Sequence, residues 1–186
     1  MDAREIFDAY FNFFVEQERT AFLDYTNSTL WTRRATKALV HVGIKAFTSE
    51  LKDRIPEVSA KEHADNPYGR SEYFTLDVSI TDPNTWKSPL FIAEHENSGS
   101  LERVQYDAWK LLSVDAKHRV LVAYFGGTCR AKDFAALRQA VLEVCADHSG
   151  KDILLIGGQA DARPDDAATF RSVHETAIVG APRRMT

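Results

Sequence analysis

Three carboxylates in the middle of the chain have the spacing of a metal-dependent site. Asp77 lies within an alternating, strand-like segment, and Glu94 and Glu96 lie at the end of the next such segment. Residues two apart on a strand point to the same face, so Glu94 and Glu96 share a face and His95 points to the other. If the two segments form a hairpin, Asp77 lies beside Glu94, and three carboxylates converge among apolar neighbours.

Carboxylates this close repel one another, and each also loses solvation on burial, so a divalent cation would remove a large penalty. Hard oxygen ligands suit Mg²⁺ or Mn²⁺ rather than zinc. Such an ion activates water and stabilises the charge that develops on a phosphate oxygen. Glu50 is predicted near the apolar face of the preceding helix, which makes it a candidate fourth ligand. The alternatives are solvated carboxylates at the strand ends and, for Glu50, an ordinary ion pair with Arg or Lys.

Hydrophobic periodicity places these acids in an α/β sandwich with a mixed central sheet flanked by helices. Helices are predicted over residues 2–25, 33–54, 101–114 and 131–146, and strands over 58–63, 72–80, 89–96, 119–125, 153–156 and 176–179. Thr32 is the predicted N-cap of the second helix, after a loop at residues 27–29. Gly126-Gly127 and Gly157-Gly158 are each predicted to end a strand.

The arrangement of acids and elements resembles the restriction-endonuclease-like, or PD-(D/E)xK, nuclease superfamily. Asp77 matches the aspartate that the superfamily places on its second strand, and Glu94-His95-Glu96 matches the (D/E)-x-K triplet that ends the third. Glu50 matches the acid of the first helix. Leu76 stands where the superfamily has proline, and Glu96 stands in place of the triplet's lysine. Some restriction enzymes of the superfamily carry such an E-x-E triplet.

The length fits one nuclease-like domain over residues 1–186, and the resemblance covers a core of about residues 34–125. An N-terminal helix and a C-terminal α/β elaboration surround that core. The resemblance implies hydrolysis of phosphodiester bonds in DNA with Mg²⁺ or Mn²⁺ as cofactor. The implied metal ligands are Asp77, Glu94, Glu50 and Glu96, and the implied catalytic residues are Asp77, Glu94, Glu96 and Gln105. The alternative is an inactive nuclease-like module that binds protein or nucleic acid, since a degenerate member would also lose the lysine.

The helix that follows the triplet offers Lys110 as a substitute for that lysine. The predicted core stripe of this helix runs along Leu101, Val104, Ala108 and Leu112. Helical projection places Lys110 almost opposite the stripe, which counts against it. Gln105 lies within ~50° of the stripe and is predicted to face the sheet. It resembles a glutamine that some superfamily members use to orient a metal ligand or substrate; the alternative is an ordinary polar residue at the helix boundary.

The charge balance narrows the kind of partner. The chain has 23 Lys and Arg against 27 Asp and Glu, a net charge of -4, which counts against a protein that simply coats polyanions. Because cations would neutralise the site acids, nucleic-acid binding is predicted to be weak without divalent metal. The candidate phosphate contacts are Arg33, Arg34, Lys37, Arg70, Lys87 and Arg103, with ordinary solvated charges as the alternative.

The remaining features favour a folded cytoplasmic protein. The longest apolar run, residues 120–125, is far too short to span a bilayer. The charged first residues lead into an amphipathic segment, so no secretory signal is expected. Cys129 and Cys145 make neither a disulfide framework nor a zinc cluster. Cutting both strands of a duplex would favour a homodimer, because two-fold symmetry matches two strands.

Overall fold

Six apolar segments form one mixed sheet in the computed structural model, which describes residues 1–17, 25, 27–61, 75–84 and 88–180. The strands are β1 Glu57–Ala60, β2 Val78–Thr81, β3 Phe91–His95, β4 His118–Phe125, β5 Asp152–Gln159 and β6 His174–Gly180. The helices are α1 Ala3–Asn12, α2 Ser28–Glu50, α3 Leu101–Ser113, α4 Phe134–Cys145 and α5 Ala167–Ser172, with a π-helical turn over Phe13–Gln17. The predicted α/β class, with a mixed sheet flanked by helices, is confirmed.

The strands lie in the sheet in the order in which they occur along the chain, from β1 to β6. β1, β2 and β3 form an antiparallel meander, and β3, β4 and β5 are parallel. β6 returns antiparallel to β5. α3 and α4 provide the crossover connections that the two parallel pairs require. The carboxyl ends of β3, β4 and β5 therefore lie along one edge of the sheet.

Two apolar clusters cover the two faces of the sheet. Side chains of β4 divide between them in the alternation expected of a strand. Val122 and Tyr124 pack with α1 and α2 on one face, whereas Leu121 and Ala123 pack with α3 and α4 on the other. Because both faces of β4 are covered, the strand has an unbroken apolar run instead of an alternating one.

The second helix begins earlier than the sequence predicted and also ends earlier. α2 starts at Ser28, where the side chain of Asn27 accepts a backbone hydrogen bond, so Asn27 rather than Thr32 is the N-cap. The early start lets Trp31 bury its ring among the aromatic side chains that follow α1. The helix ends at Glu50. Among the described residues, no helix is both long enough and apolar enough to cross a membrane.

The prediction that Gly157-Gly158 ends a strand is wrong, because β5 continues through both glycines. A Cβ at Gly157 would overlap the ring of Phe134, and one at Gly158 would overlap the hydroxyl of Tyr25. The two glycines thus leave room for aromatic side chains on the two faces of the sheet. In contrast, Gly126 follows β4 with φ of 77° and ends that strand as predicted.

Candidate active site

The β2–β3 hairpin brings Asp77 beside Glu94, as the strand pattern predicted. Val78 pairs with Ala93, so the residue before Val78 lies opposite the residue after Ala93. Asp77 occupies a bend immediately before β2, where only 5% of it is exposed. Its Oδ2 accepts a hydrogen bond of 2.9 Å from the backbone N–H of His95. The end of β3 therefore holds the carboxylate in place.

A buried contact between a lysine of α3 and an acid of β3 forms the centre of the site. The ammonium of Lys110 lies 2.7 Å from Oε1 of Glu94 and 2.9 Å from Oδ1 of Asp107. It also donates a hydrogen bond of 3.2 Å to the backbone oxygen of Thr75. The side chains of Glu94 and Lys110 are 2% and 12% exposed, so water screens their interaction little. A lysine thus reaches the acids from the helix, although the triplet contains none.

The helical projection that counted against Lys110 is corrected, because the buried face of α3 differs from the predicted stripe. The buried face includes Asp107 and Leu111, which move its centre towards Lys110. The long aliphatic stem then carries the ammonium back to the sheet. Gln105 lies at the opposite edge of this face, where its Nε2 donates a hydrogen bond of 2.9 Å to Oε2 of Glu143 on α4. Gln105 is therefore not brought to the carboxylates, and its predicted catalytic position is corrected.

The pKa values of Glu94, Asp107 and Lys110 are all raised in this site. Burial, followed by the charges of Asp77 and Asp107, raises the pKa of Glu94 to about 9, although Lys110 acts against this. Burial is also the main reason why the pKa of Asp107 is raised. Burial lowers the pKa of Lys110, but hydrogen bonds and attraction from Glu94 and Asp107 outweigh it, so the net shift is upward. Negative charge is therefore the costly species in this site.

The side chains line an open cavity of about 450 Å³. Its carboxylates are Asp77, Glu94, Glu96 and Asp107, and its positive groups are Lys61, Arg103 and Lys110. Glu94 and Glu96 both line it, as their spacing predicted, and Glu96 also accepts a hydrogen bond from the backbone N–H of Ser98. Among these described residues, four carboxyl groups face three positive groups.

His95 points to the opposite face of the sheet, as predicted, and is part of a buried hydrogen-bonded chain. Its Nε2 lies 2.9 Å from the hydroxyl of Tyr124, which also accepts a hydrogen bond from the indole N–H of Trp31. The backbone N–H of the same histidine holds Asp77. Packing on one face of the sheet therefore positions a carboxylate on the other face.

Glu50 does not lie at this site, and its predicted role as a fourth ligand is corrected. It ends α2, where its Oε2 lies 2.6 Å from Nζ of Lys117 and its Oε1 lies 2.9 Å from Nε2 of His118. His118 pairs with Phe91 at the start of β3, whereas Glu94 lies near the end of that strand. α2 also packs on the face of the sheet opposite to α3. The alternative interpretation of Glu50, an ordinary ion pair, describes its contacts.

Of the basic residues predicted to bind phosphate, Arg103 alone is among the described residues that line the cavity. The start of α2 nevertheless lies near the end of β3, since Nδ2 of Asn97 donates a hydrogen bond of 2.6 Å to Oγ1 of Thr32. Three of the described candidates lie in α2 soon after its start and do not line the cavity, namely Arg33, Arg34 and Lys37. The candidates that lie outside the described residues are Arg70 and Lys87.

Two residues of the site have no sequence signal that places them there. Lys61 follows β1, and its ammonium lies 3.2 Å from Oδ1 of Asp77. Asp107 is buried beneath Lys110 on α3. The spacing of three residues between Asp107 and Lys110 does indicate an ion pair on a helix. It does not indicate that the pair faces a strand, so tertiary packing is what recruits both residues.

Comparisons with protein-family models, with curated proteins and with solved structures gave no match to this chain. The chemistry of the site itself is therefore the basis for a function. Within the described ranges, no group of three or more His, Cys, Asp or Glu side chains is arranged to hold a metal ion. Asp77 and Glu94 nevertheless offer two hard oxygen donors in one cavity. Mg²⁺ is commonly bound through one or two carboxylates together with water and substrate phosphates, so this donor pair fits that ion.

Proposed function

We propose that this chain is a metal-dependent nuclease with a restriction-endonuclease-like core, which hydrolyses phosphodiester bonds in DNA. The observation that carries the proposal is the 2.7 Å contact between Lys110 and Glu94, in the cavity that Asp77 also lines. Two acids and a lysine are the groups of the superfamily motif, with the lysine supplied here by α3. The element order α2, β1, β2, β3, α3, β4 supports the same proposal.

Each side chain has a separate role in the proposed reaction. Asp77 and Glu94 would hold Mg²⁺ or Mn²⁺ through their carboxylate oxygens. When bound, such an ion supplies Lewis-acid stabilisation of the phosphate charge and lowers the pKa of a bound water. Lys110, positioned by Glu94 and Asp107, presents an ammonium that can orient the attacking water or stabilise a phosphate oxygen. Glu96 lines the same cavity and completes the acidic wall.

The alternative is a nuclease-like module that binds protein or nucleic acid without cutting it. Glu96 at the lysine position of the triplet favours this alternative, because loss of that lysine is typical of a degenerate site. The ammonium of Lys110 next to Glu94 replaces the missing positive charge, and for this reason we favour the enzyme. Two further parts of the proposal are a cytoplasmic location, supported by the buried free thiols of Cys129 and Cys145, and, for a duplex substrate, a homodimer.

The test is cleavage of supercoiled plasmid, single-stranded circular DNA and RNA in Mg²⁺, Mn²⁺ or EDTA. Asp77→Asn, Glu94→Gln and Lys110→Met each remove one group of the site. Glu50→Gln is the matched control, since Glu50 is also a carboxylate paired with a lysine but lies on the other face of the sheet. We expect cleavage that requires metal, that each site variant lowers by at least about 10²-fold, and that the control retains.

Two outcomes would contradict the proposed activity. If no substrate is cut under any metal condition, the enzyme is refuted, and nucleic-acid binding by the same preparation would favour the non-catalytic module. If the site variants cut as fast as the wild type, the activity belongs to a contaminating nuclease.

A further inference from the structure

Two exposed aromatic rings continue the candidate site along α3. Tyr106 is 56% exposed and Trp109 is 49% exposed, although large aromatic side chains are usually well buried. Their rings are stacked on each other, with centroids 5.8 Å apart and planes inclined by 23°. We call these two residues the aromatic pair. About half of each side chain is therefore accessible in the part of the chain that the structure describes.

The aromatic pair is continuous with the acidic cavity. Tyr106 itself lines the cavity. The ammonium of Lys110 lies 5.3 Å from the centroid of the Tyr106 ring while it also pairs with Glu94. Arg103, one helical turn before Tyr106, is exposed and lines the same cavity. α3 therefore presents a cation, two aromatic rings and a second cation along one face, next to the carboxylates.

We infer that the aromatic pair stacks a base of an unpaired nucleic-acid strand, so that the site acts on single-stranded rather than base-paired nucleic acid. This inference rests on the proposed nuclease function. Bases inside a duplex are stacked on their neighbours and show a protein only their edges in the grooves. An unpaired base can lay its ring face on an aromatic side chain, which is how sequence-tolerant single-strand binding works.

The charge of the molecule also favours an unpaired strand. Duplex binding depends on many contacts between positive side chains and phosphates. This chain has a net charge of -4, and carboxylates outnumber positive groups in the described cavity lining. Two of those positive groups, Lys61 and Lys110, are already paired with Asp77 and Glu94. Stacking must therefore supply a large share of the affinity, and the salt dependence should be shallow.

The inference is tested by binding of the full chain to a labelled oligothymidylate and to a blunt duplex of equal length, in Ca²⁺, at low and high salt. Tyr106→Ala and Trp109→Ala remove one ring each, whereas Trp109→Phe keeps a ring. Ile55→Ala is the control, since Ile55 is an exposed apolar residue that does not line the cavity. We expect each alanine variant to lose roughly 10-fold or more in affinity for the unpaired strand. Trp109→Phe and Ile55→Ala should lose little.

A second measurement does not depend on comparing affinities. Adding the oligothymidylate should quench the tryptophan emission of the wild type, and Trp109→Phe should lose that quenching while still binding. Thermal unfolding establishes that the alanine variants are folded, which the exposure of both rings leads us to expect.

The outcomes separate the inference from the function on which it rests. If the duplex binds as tightly as the unpaired strand, or if the alanine variants bind it unchanged, the inference is overturned, and metal-dependent cleavage in the same variants would leave the nuclease intact. If ring-dependent binding occurs and no substrate is cut, the nuclease is refuted and the aromatic pair is the binding surface of a non-catalytic module.

Discussion

Replacing Glu94 with glutamine should stabilise the metal-free protein while it abolishes metal-dependent cleavage. The substitution keeps the shape of the side chain and an oxygen acceptor for Lys110, and it leaves a group that cannot ionise. Burial and the charges of Asp77 and Asp107 raise the pKa of Glu94 to about 9 from the ordinary value of 4.5. At neutral pH the folded protein therefore holds this group protonated, whereas the unfolded chain holds it ionised.

The size of the effect follows from the linkage between proton binding and folding. One pH unit corresponds to 1.36 kcal/mol, so binding a proton at neutral pH to a group with an unfolded pKa of 4.5 costs about 3 kcal/mol. Glutamine avoids this cost, and its amide oxygen can still accept a hydrogen bond from Lys110. We therefore expect a net gain on the order of 1–3 kcal/mol in the free energy of unfolding. In a chain of 186 residues this corresponds to a Tm higher by about 3–10 °C.

The pH dependence has a definite sign. The pKa of Glu94 is higher in the folded state than in the unfolded state, so the stability that this group contributes is fully present below pH 4.5 and is lost as the pH rises towards about 9. The stability advantage of Glu94→Gln over the wild type should therefore be absent in acid and should grow through neutral to alkaline pH. Mg²⁺, which favours the ionised carboxylate, should stabilise the wild type more than the variant.

Thermal unfolding in EDTA and in Mg²⁺ across this pH range measures the effect, and Glu50→Gln is a control of opposite sign. Partial burial acts to raise the pKa of Glu50, but hydrogen bonds from Lys117 and His118 lower it overall. Its contribution is therefore present at neutral pH and lost in acid, so Glu50→Gln should lower neutral stability by about 0.5–1 kcal/mol. A Glu94→Gln variant that is less stable than the wild type in EDTA at neutral pH, or a stability difference that is independent of pH, would contradict a raised pKa of Glu94.

Three other substitutions test separate parts of the structure. Lys110→Met should lower the cleavage rate by at least about 10²-fold, whereas Mg²⁺ binding, measured by titration calorimetry, should persist. An unchanged cleavage rate would show that Lys110 has no role in the reaction. Tyr124→Phe removes the hydroxyl that the indole N–H of Trp31 and the imidazole of His95 share. It should lower the free energy of unfolding in urea by about 2 kcal/mol. An unchanged urea midpoint would show that these buried hydrogen bonds add no stability. Gly43→Ala would place a Cβ 2.5 Å from a side chain of β2 and 2.8 Å from one of β3. The substitution should lower the free energy of unfolding in urea by about 1–3 kcal/mol. If the variant is as stable as the wild type, α2 can move away from the sheet.

The parts of the fold that the sequence predicted well are those with one clear hydrophobic period. α3, β4 and α4 lie within a few residues of their predicted bounds because their own side chains define their buried faces. The predicted boundaries of helices and strands were less accurate where contacts with distant residues determine them. α2 extends back to Ser28 because Trp31 finds aromatic partners, and β5 continues through Gly157-Gly158 because rings from other elements occupy the space above them.

In the candidate site, too, local sequence patterns placed some residues correctly, and distant contacts determine the position of the others. Strand alternation and a short connection were enough to place Asp77 beside Glu94. Lys110 could not be placed, because its direction depends on how α3 is rotated on the sheet, and the burial of Asp107 changes that rotation. Glu50 was misplaced for a related reason, since a helical projection shows which side of α2 is buried but not which face of the sheet α2 covers. The nuclease activity itself stays a prediction.

The order of the strands in the sheet has a consequence for how the site assembles during folding. Each strand pairs with its neighbour in the chain, so every pairing closes only the loop between them, and the entropy cost of closing a loop grows with its length. Asp77, Glu94, Asp107 and Lys110 all come from the single stretch of residues 77–110. One hairpin and one helix supply all four residues, and contacts of small sequence separation favour fast folding. The residues of the site thus lie close together along the chain, although α3, which carries two of them, also packs on α4 and β5.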